Sequence, residues 1–243
     1  MQASCKLSIV VPCYNEAENI PALLARFRAV LAGQEGVELV LVNNGSRDRS
    51  AAVFADVLSR PEYAFARVVD VPVNQGYGFG ILSGLRQANG EYLAWTHADM
   101  QTDPADVLLA FNRLLAEPEP RRCFVRGRRL GRAWLDNAFT VGMSWVASAA
   151  LTSRLQDINA QPKLFHRGLL DEMSDAPWDF SLDLYLLYLA QQQGLKILEQ
   201  PVHFATRNHG EAKGGGSLRG KVRLTRRTLQ YIFRLRRQLR TAA

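Results

Sequence analysis

Three side chains set two apart, His97, Asp99 and Gln101, stand directly after a short apolar run. In extended chain successive side chains point to opposite sides, so these three can face one way together. An imidazole, a carboxylate and an amide oxygen grouped at a strand end could hold a divalent cation. That mixture suits Mn²⁺ at least as well as Mg²⁺, which prefers oxygen. A cation with so few protein ligands shares its shell with a diphosphate and stabilises the charge that develops on a leaving nucleoside diphosphate. The plainer reading is that His97 and Gln101 hydrogen-bond within a loop.

Other polar clusters punctuate the first hundred residues: Tyr14-Asn15-Glu16, Asn43-Asn44 and Asn74-Gln75-Gly76. The elements between them are legible from periodicity. Leu7 to Cys13 is an apolar run of strand length, as are Val37 to Val42, Phe65 to Val71 and Glu91 to Thr96. Ile20, Leu23, Leu24, Phe27, Val30 and Leu31 repeat at helical spacing, with Asn15 and Glu18 placed as a capping box. A helix follows the Asn43-Asn44-Gly45-Ser46 turn as far as about Ser59, and another ends at Asn89-Gly90. Four strand–helix alternations predict an α/β fold: a mostly parallel, Rossmann-like sheet flanked by helices. Ligands in such sheets bind beyond the carboxyl ends of the strands, where all four polar clusters fall. The glycine loop Asn74 to Gly80 follows the third strand instead of the first, and no acidic residue stands at a strand end about twenty positions on. A dinucleotide-binding dehydrogenase is therefore not expected.

The chain has 243 residues, 47% of them hydrophobic and 22% charged, which excludes a disordered or fibrous protein. Its three cysteines, Cys5, Cys13 and Cys123, form no metal-ligand pair and suit a reduced compartment. The opening run is too short and too lightly flanked for a signal peptide. The net charge of +7 belongs to the tail: after Glu211 there are ten basic residues and no acidic one. Leu218, Val222, Thr225, Leu229, Ile232 and Leu239 follow helical spacing there, with arginines covering the remainder. That pattern fits a peripheral helix on an anionic membrane surface, and equally a helix packed on its own domain. No aromatic platform or binding motif supports nucleic acid as the partner. The 17 uncharged residues Asn137 to Ser153 carry too many polar groups for a convincing membrane span.

Taken in order, Ile9-Val10-Val11-Pro12-Cys13-Tyr14-Asn15-Glu16, Val42-Asn43-Asn44-Gly45-Ser46-Arg47-Asp48 and His97-Ala98-Asp99-Met100-Gln101 resemble the opening motifs of family 2 glycosyltransferases. The likeness is strongest to the dolichyl- and polyprenyl-phosphate sugar transferases. It continues through Asp157 to Phe165, Phe180 to Leu184, Pro201 to Phe204 and Arg207 to Lys213. The resemblance implies a single-domain GT-A fold over residues 1–216, with a nucleotide-sugar half to about 116, an acceptor half beyond it, and the basic helix at 217–243. It implies a nucleoside-diphosphate sugar donor, Mg²⁺ or Mn²⁺, and inversion at the anomeric carbon. The acceptor would be a polyprenyl phosphate or a lipid-linked saccharide, used in cell-surface glycan synthesis at the cytoplasmic face of a membrane. Carried over by position, Pro12, Tyr14, Glu16, Asn44, Gly76, Ala98 and Asp99 line the donor pocket. Asp99 is the principal metal ligand, with Gln101 and His97 beside it.

Three departures stand out: Asn43-Asn44 replaces two acidic residues, His97 replaces an Asp, and Ala212 replaces a Ser. The first two keep open a second class of protein, a homologue that binds nucleotide sugars without turnover, and the third removes a hydroxyl contact to the acceptor phosphate. A nucleotidyltransferase is a third reading, but the glycine- and lysine-rich N-terminal loop it needs is absent. On the acceptor side a sugar hydroxyl would need a general base, whereas a lipid phosphate is already ionised and needs cations. Asp183 occupies the position of the family's acidic active-site residue, with Asp179 as its neighbour and rival. Arg128, Arg129, Lys163, Arg207 and Lys213 are the cations available for a phosphate, Arg129 being the one matched in the polyprenyl-phosphate enzymes.

Overall fold

The computed structural model describes residues 5–130, 157–203 and 230–232. The first half alternates as its periodicity dictates: β1 (Leu7–Cys13), α1 (Ile20–Leu31), β2 (Val37–Asn44), α2 (Ser50–Leu58), β3 (Ala66–Val71), α3 (Tyr77–Gln87), β4 (Tyr92–Trp95) and α4 (Ala105–Leu115). The second half adds β5 (Cys123–Leu130), β6 (Lys163–His166), the short α5 (Gly168–Asp171), α6 (Leu182–Gln192) and β7 (Lys196–His203).

The described strands form one sheet in the order β3-β2-β1-β4-β6-β5-β7. Pairings from β3 through β4 are parallel, β6 runs antiparallel to both β4 and β5, and β7 lies parallel to β5. Only β6 runs against the rest. Side-chain alternation divides the core in two. Val10, Val40 and Val42 face α3 and α6, while Ile9, Val11, Leu39 and Leu41 face α1, α2 and α4. Helix α1 buries Ile20, Leu23, Leu24, Phe27 and Leu31, the stripe its spacing predicts. Such burial contributes roughly 1.5–3 kcal/mol for each large apolar side chain.

Two local expectations are corrected. The Asn15–Glu18 capping box does not form. Helix α1 starts after Asn19, which makes no side-chain cap bond. Asn15 instead takes φ 53°, accepts the Arg47 N–H on its side-chain oxygen at 2.8 Å, and donates its own N–H to Ser46 Oγ at 3.0 Å. The second strand also runs on to Asn44, because Asn43 and Asn44 pair with Asp70 and Val71 of β3. Both asparagines are therefore strand residues. The uncharged stretch 137–153 lies outside the described residues, as does the C-terminal helix except at 230–232. Those three residues are helical, and Ile232 is fully buried in the core beside α6. No helix among the described residues is long and apolar enough to cross a membrane.

Candidate active site

From β1 the chain winds outward through β2 to β3, then crosses back to lay β4 on the other side of β1. The strand order thus reverses between β1 and β4. In open α/β sheets the crevice for ligands opens at that point, beyond the carboxyl ends of the strands. Tyr14 to Glu16 follow β1 and His97 to Gln101 follow β4, so both clusters stand at its rim.

The loop after β1 is held by the loop after β2. Besides the two Asn15 bonds, Glu16 N–H donates to Ser50 Oγ at 3.1 Å and Ala17 N–H to the Asp48 carboxylate at 3.2 Å. Pro12, Tyr14 and Glu16 are half-buried. Asn43 donates to Asp70 Oδ1 at 2.9 Å. Asn44 is 3% exposed; its Nδ2 donates to the Gly76 carbonyl at 3.0 Å, and its Oδ1 is buried without a hydrogen-bond partner. A Cβ on Gly80 would lie 2.6 Å from that nitrogen, so the Asn44 amide is sealed beneath the first turn of α3. The structure therefore places Asn44 as a strut under the glycine loop.

That loop also meets the residues just before α6. Gly76 has φ 128°, and a Cβ there would come 2.3 Å from the Trp178 carbonyl oxygen. The Phe79 N–H donates to the same oxygen at 3.0 Å, and the Phe79 ring lies 5.1 Å from the indole of Trp178. Tyr77 stacks on Phe180 with centroids 4.7 Å apart and 11° between planes. Its other neighbour is the His97 ring at 6.1 Å.

Beneath these rings is a buried polar cluster. Lys163 begins β6 beside Trp95 and Arg126, its register partners, and has no exposed surface. Its ammonium donates to the carbonyls of Ile158 at 2.6 Å and Ala160 at 2.9 Å, and lies 4.0 Å from Asp183 Oδ1. Asp183, in the first turn of α6, is 2% exposed and accepts from Gln161 Nε2 at 2.8 Å. The same nitrogen donates to the Tyr77 hydroxyl at 3.3 Å. Burial pulls the Lys163 pKa down to about 8, against the attraction of Asp183. Burial also raises the Asp183 carboxyl above its ordinary value, although Lys163, His97, the Gln161 bond and Arg129 all oppose the rise. His97 thus lies within electrostatic reach of Asp183. The rival Asp179 accepts the Ser181 N–H at 2.8 Å and so braces the start of α6.

Of the sequence-predicted cations, Arg129 is half-buried and donates to the Asn159 carbonyl at 2.6 Å, while Arg128 is exposed and 3.5 Å from Glu199. Arg207, Ala212 and Lys213 lie outside the described residues. Sequence reasoning assigned no role to Tyr77, Gln161 or Arg126. Arg126 is 5% exposed and pairs with Glu199, with Asp157 3.9 Å away. The only signal for Tyr77 was its place in the glycine loop, and Gln161 stood unremarked in a quoted motif.

In the turn after β4, Ala98 is buried while His97, Asp99 and Gln101 are half-buried. The extended alternation that was to align the three breaks at Met100, whose φ is 57°. Asp99 Oδ1 accepts the Gln101 N–H at 3.2 Å, so a tight turn brings this pair together instead. Among the described residues no three His, Cys, Asp or Glu side chains form a metal cage. One carboxylate with an imidazole and an amide fits only an open site, whose remaining ligands would have to come from a bound molecule or water.

A reversing α/β sheet with its polar loops gathered at one edge, joined to an antiparallel strand carrying a buried cation, defines a GT-A-like fold. The comparisons agree. The glycosyl transferase family 2 profile matches residues 8–132, about half of the chain. An uncharacterized glycosyltransferase of Mycobacterium bovis is 30% identical over 226 residues, covering 89% of this chain and 93% of that protein. The chain belongs to glycosyl transferase family 2. It is also similar to an undecaprenyl-phosphate 4-deoxy-4-formamido-L-arabinose transferase of Enterobacter sp. (strain 638), at 27% identity over 219 residues, 88% of this chain but 64% of the relative's length. Among solved structures, glucosyl-3-phosphoglycerate synthase of Mycobacterium tuberculosis with Mn²⁺ and UDP-glucose superposes with TM-score 0.72 at 20% identity, covering 95% of this chain and 80% of that one. A mannosyltransferase of Pyrobaculum calidifontis with GDP-mannose and Mn²⁺ gives 0.64 at 21%, covering 84% and 58%.

Proposed function

We propose that this glycosyltransferase moves a sugar, with inversion, from a nucleoside diphosphate to a polyprenyl phosphate. Pro12, Tyr14 and Glu16 bound the nucleoside side of the crevice, with Gly76, Ala98 and Asp99 toward the diphosphate. Asp99, with Gln101 and His97, would hold Mn²⁺ or Mg²⁺, which when bound supplies charge neutralisation for the leaving diphosphate. Mn²⁺ is favoured by the imidazole and by the Mn²⁺ bound in both structural neighbours.

The observation that carries the phosphate acceptor is the state of Asp183. A general base must reach the proton it removes, yet Asp183 is 2% exposed and engaged by Gln161 and Lys163. A phosphate oxygen is already ionised and needs no base. It needs positive charge, which Arg129 supplies from the rim and Lys163 from beneath. Asp183 then balances Lys163 and fixes the wall against which the acceptor rests. The arabinose transferase, whose name carries an undecaprenyl-phosphate acceptor, supports the same choice. The reading divides residues 1–216 into donor and acceptor halves and gives residues 217–243 to a basic helix that holds the enzyme at the cytoplasmic membrane face.

One second reading has an observation behind it. With a single carboxylate in the turn after β4, the chain could bind nucleotide sugars without turning them over. Calorimetry with UDP, GDP, CDP and dTDP, each with Mn²⁺, Mg²⁺ or EDTA, tests the donor site. One nucleotide is expected to bind in a metal-dependent way, with Asp99→Ala losing at least about tenfold in affinity. Transfer of the matching sugar to a short polyprenyl phosphate then separates enzyme from binding protein. Binding of none of the four would overturn the donor site.

A further inference from the structure

Tyr77 touches groups on both sides of the crevice. Its ring stacks on Phe180 at 4.7 Å and has the His97 ring 6.1 Å away, tilted by 31°. Its hydroxyl accepts from Gln161 Nε2, the nitrogen that also donates to Asp183. The Trp95 indole N–H also acts on this hydroxyl, and Gln161 Oε1 is buried without a hydrogen-bond partner. Burial and the Asp183 charge hold the phenol un-ionised, while Arg129 and Asp99 also act on it electrostatically. The charged groups assigned above to donor and acceptor therefore converge on one side chain.

We propose that Tyr77 is a positioning residue that couples the two sides of the site. Its ring sets the plane of His97, and its hydroxyl, through Gln161, sets the Asp183 carboxylate. The inference rests on the reading of this crevice as a nucleotide-sugar transferase site. The ring and the hydroxyl have separable duties. Tyr77→Phe keeps the ring contacts with Phe180 and His97 and releases only the hydrogen bonds of the hydroxyl, to Gln161 and Trp95. Tyr77→Leu removes both.

The test uses the full chain. The His97 imidazole resonances, assigned by their loss in His97→Gln, report the ring contact without any ligand. They are expected to stay in place in Tyr77→Phe and to move in Tyr77→Leu. In calorimetry Tyr77→Phe should keep the Mn²⁺-supported affinity for the nucleoside diphosphate, whereas Tyr77→Leu should lose about tenfold, the usual effect of removing a support from a metal-site residue. Binding in EDTA should not change in either. In transfer assays Tyr77→Phe should lower kcat about tenfold at unchanged donor KM, because only the support to Asp183 has gone. His97 resonances that stay put in a folded Tyr77→Leu protein, or equal losses in both variants, would overturn the proposal. If the wild type binds no nucleotide, the transferase reading falls, and the resonances alone decide whether Tyr77 positions His97.

Discussion

Lys163 shows how far a residue's meaning depends on what surrounds it. In sequence it is one cation of several available to a phosphate; in the fold it has no exposed surface and spends its protons on two carbonyls and Asp183. Removing one member of a buried charge pair costs about 3–5 kcal/mol, because the other is left uncompensated. Lys163→Met should therefore lower the urea midpoint markedly. Its pH dependence is more diagnostic. The folded pKa is about 8 against the ordinary 10.5. Between those values the unfolded chain holds a proton that the folded protein lacks, so wild-type stability rises with pH across this window. Burial opposes the ammonium below it. Urea midpoints taken from pH 7 to pH 10 should climb for wild type and lose that climb in Lys163→Met.

At the scale of elements, the glycine loop and the end of β2 form one unit. Asn44 donates to Gly76 O from beneath Gly80. An Asp there would set a carboxylate against a carbonyl oxygen in a place sealed from water. Asn44→Asp should cost more than the roughly 1–3 kcal/mol of an unsatisfied neutral group, because the buried carboxylate is charged. Burial raises the folded pKa of the new carboxyl above the ordinary value of about 3.9, so the cost should shrink as pH falls through that raised value toward 4, where the protonated group can donate. Chemical unfolding at pH 7 and pH 4.5 checks this, and an Asp variant as stable as wild type at pH 7 would refute the strut. The same unit marks how far sequence could be read. The strands and helices up to β4 are apolar runs with their own period, each closed by a polar turn, and apart from the start of α1 and the end of β2 they lie where the pattern puts them. Strand β6 has four residues and exists because Trp95 on one side and Arg126 on the other pair with Lys163. No local pattern encodes that. The Asp183 helix start was legible, but its partners Lys163 and Gln161 lie about twenty residues away in sequence. The approach of Trp178 to Gly76 spans a hundred. The His97, Asp99 and Gln101 set rests on a strand alternation that the positive φ of Met100 interrupts.

For the molecule as a whole, the tail has two chemistries to reconcile. Five apolar residues and Thr225, six positions at helical spacing, could face a bilayer or the protein, and ten cations surround them. Ile232, one of the six, is completely buried in the core that also holds Val10, Leu184 and Leu187. At that position the apolar stripe is already satisfied by the protein itself. Replacing it with Ala should cost about 2–5 kcal/mol, as for other buried large-to-small changes, and lower the melting temperature. If the stripe is spent inward, membrane attachment must come from charge alone. The first 211 residues carry a formal −3, so attraction to an anionic surface falls to the tail. Association with vesicles containing phosphatidylglycerol should then be strong at low ionic strength and mostly lost near 0.5 M salt, where screening reaches only about 4 Å. Neutral phosphatidylcholine vesicles should not bind. Co-sedimentation across a salt series checks both statements. Binding that survives high salt, or that extends to neutral vesicles, would mean apolar insertion, with part of the stripe outside the core after all. Loss of binding on replacing Arg223, Arg227, Arg234 and Arg237, the basic positions opposite Ile232 at helical spacing, with Gln, at unchanged melting temperature, would place the attachment on the side away from the fold.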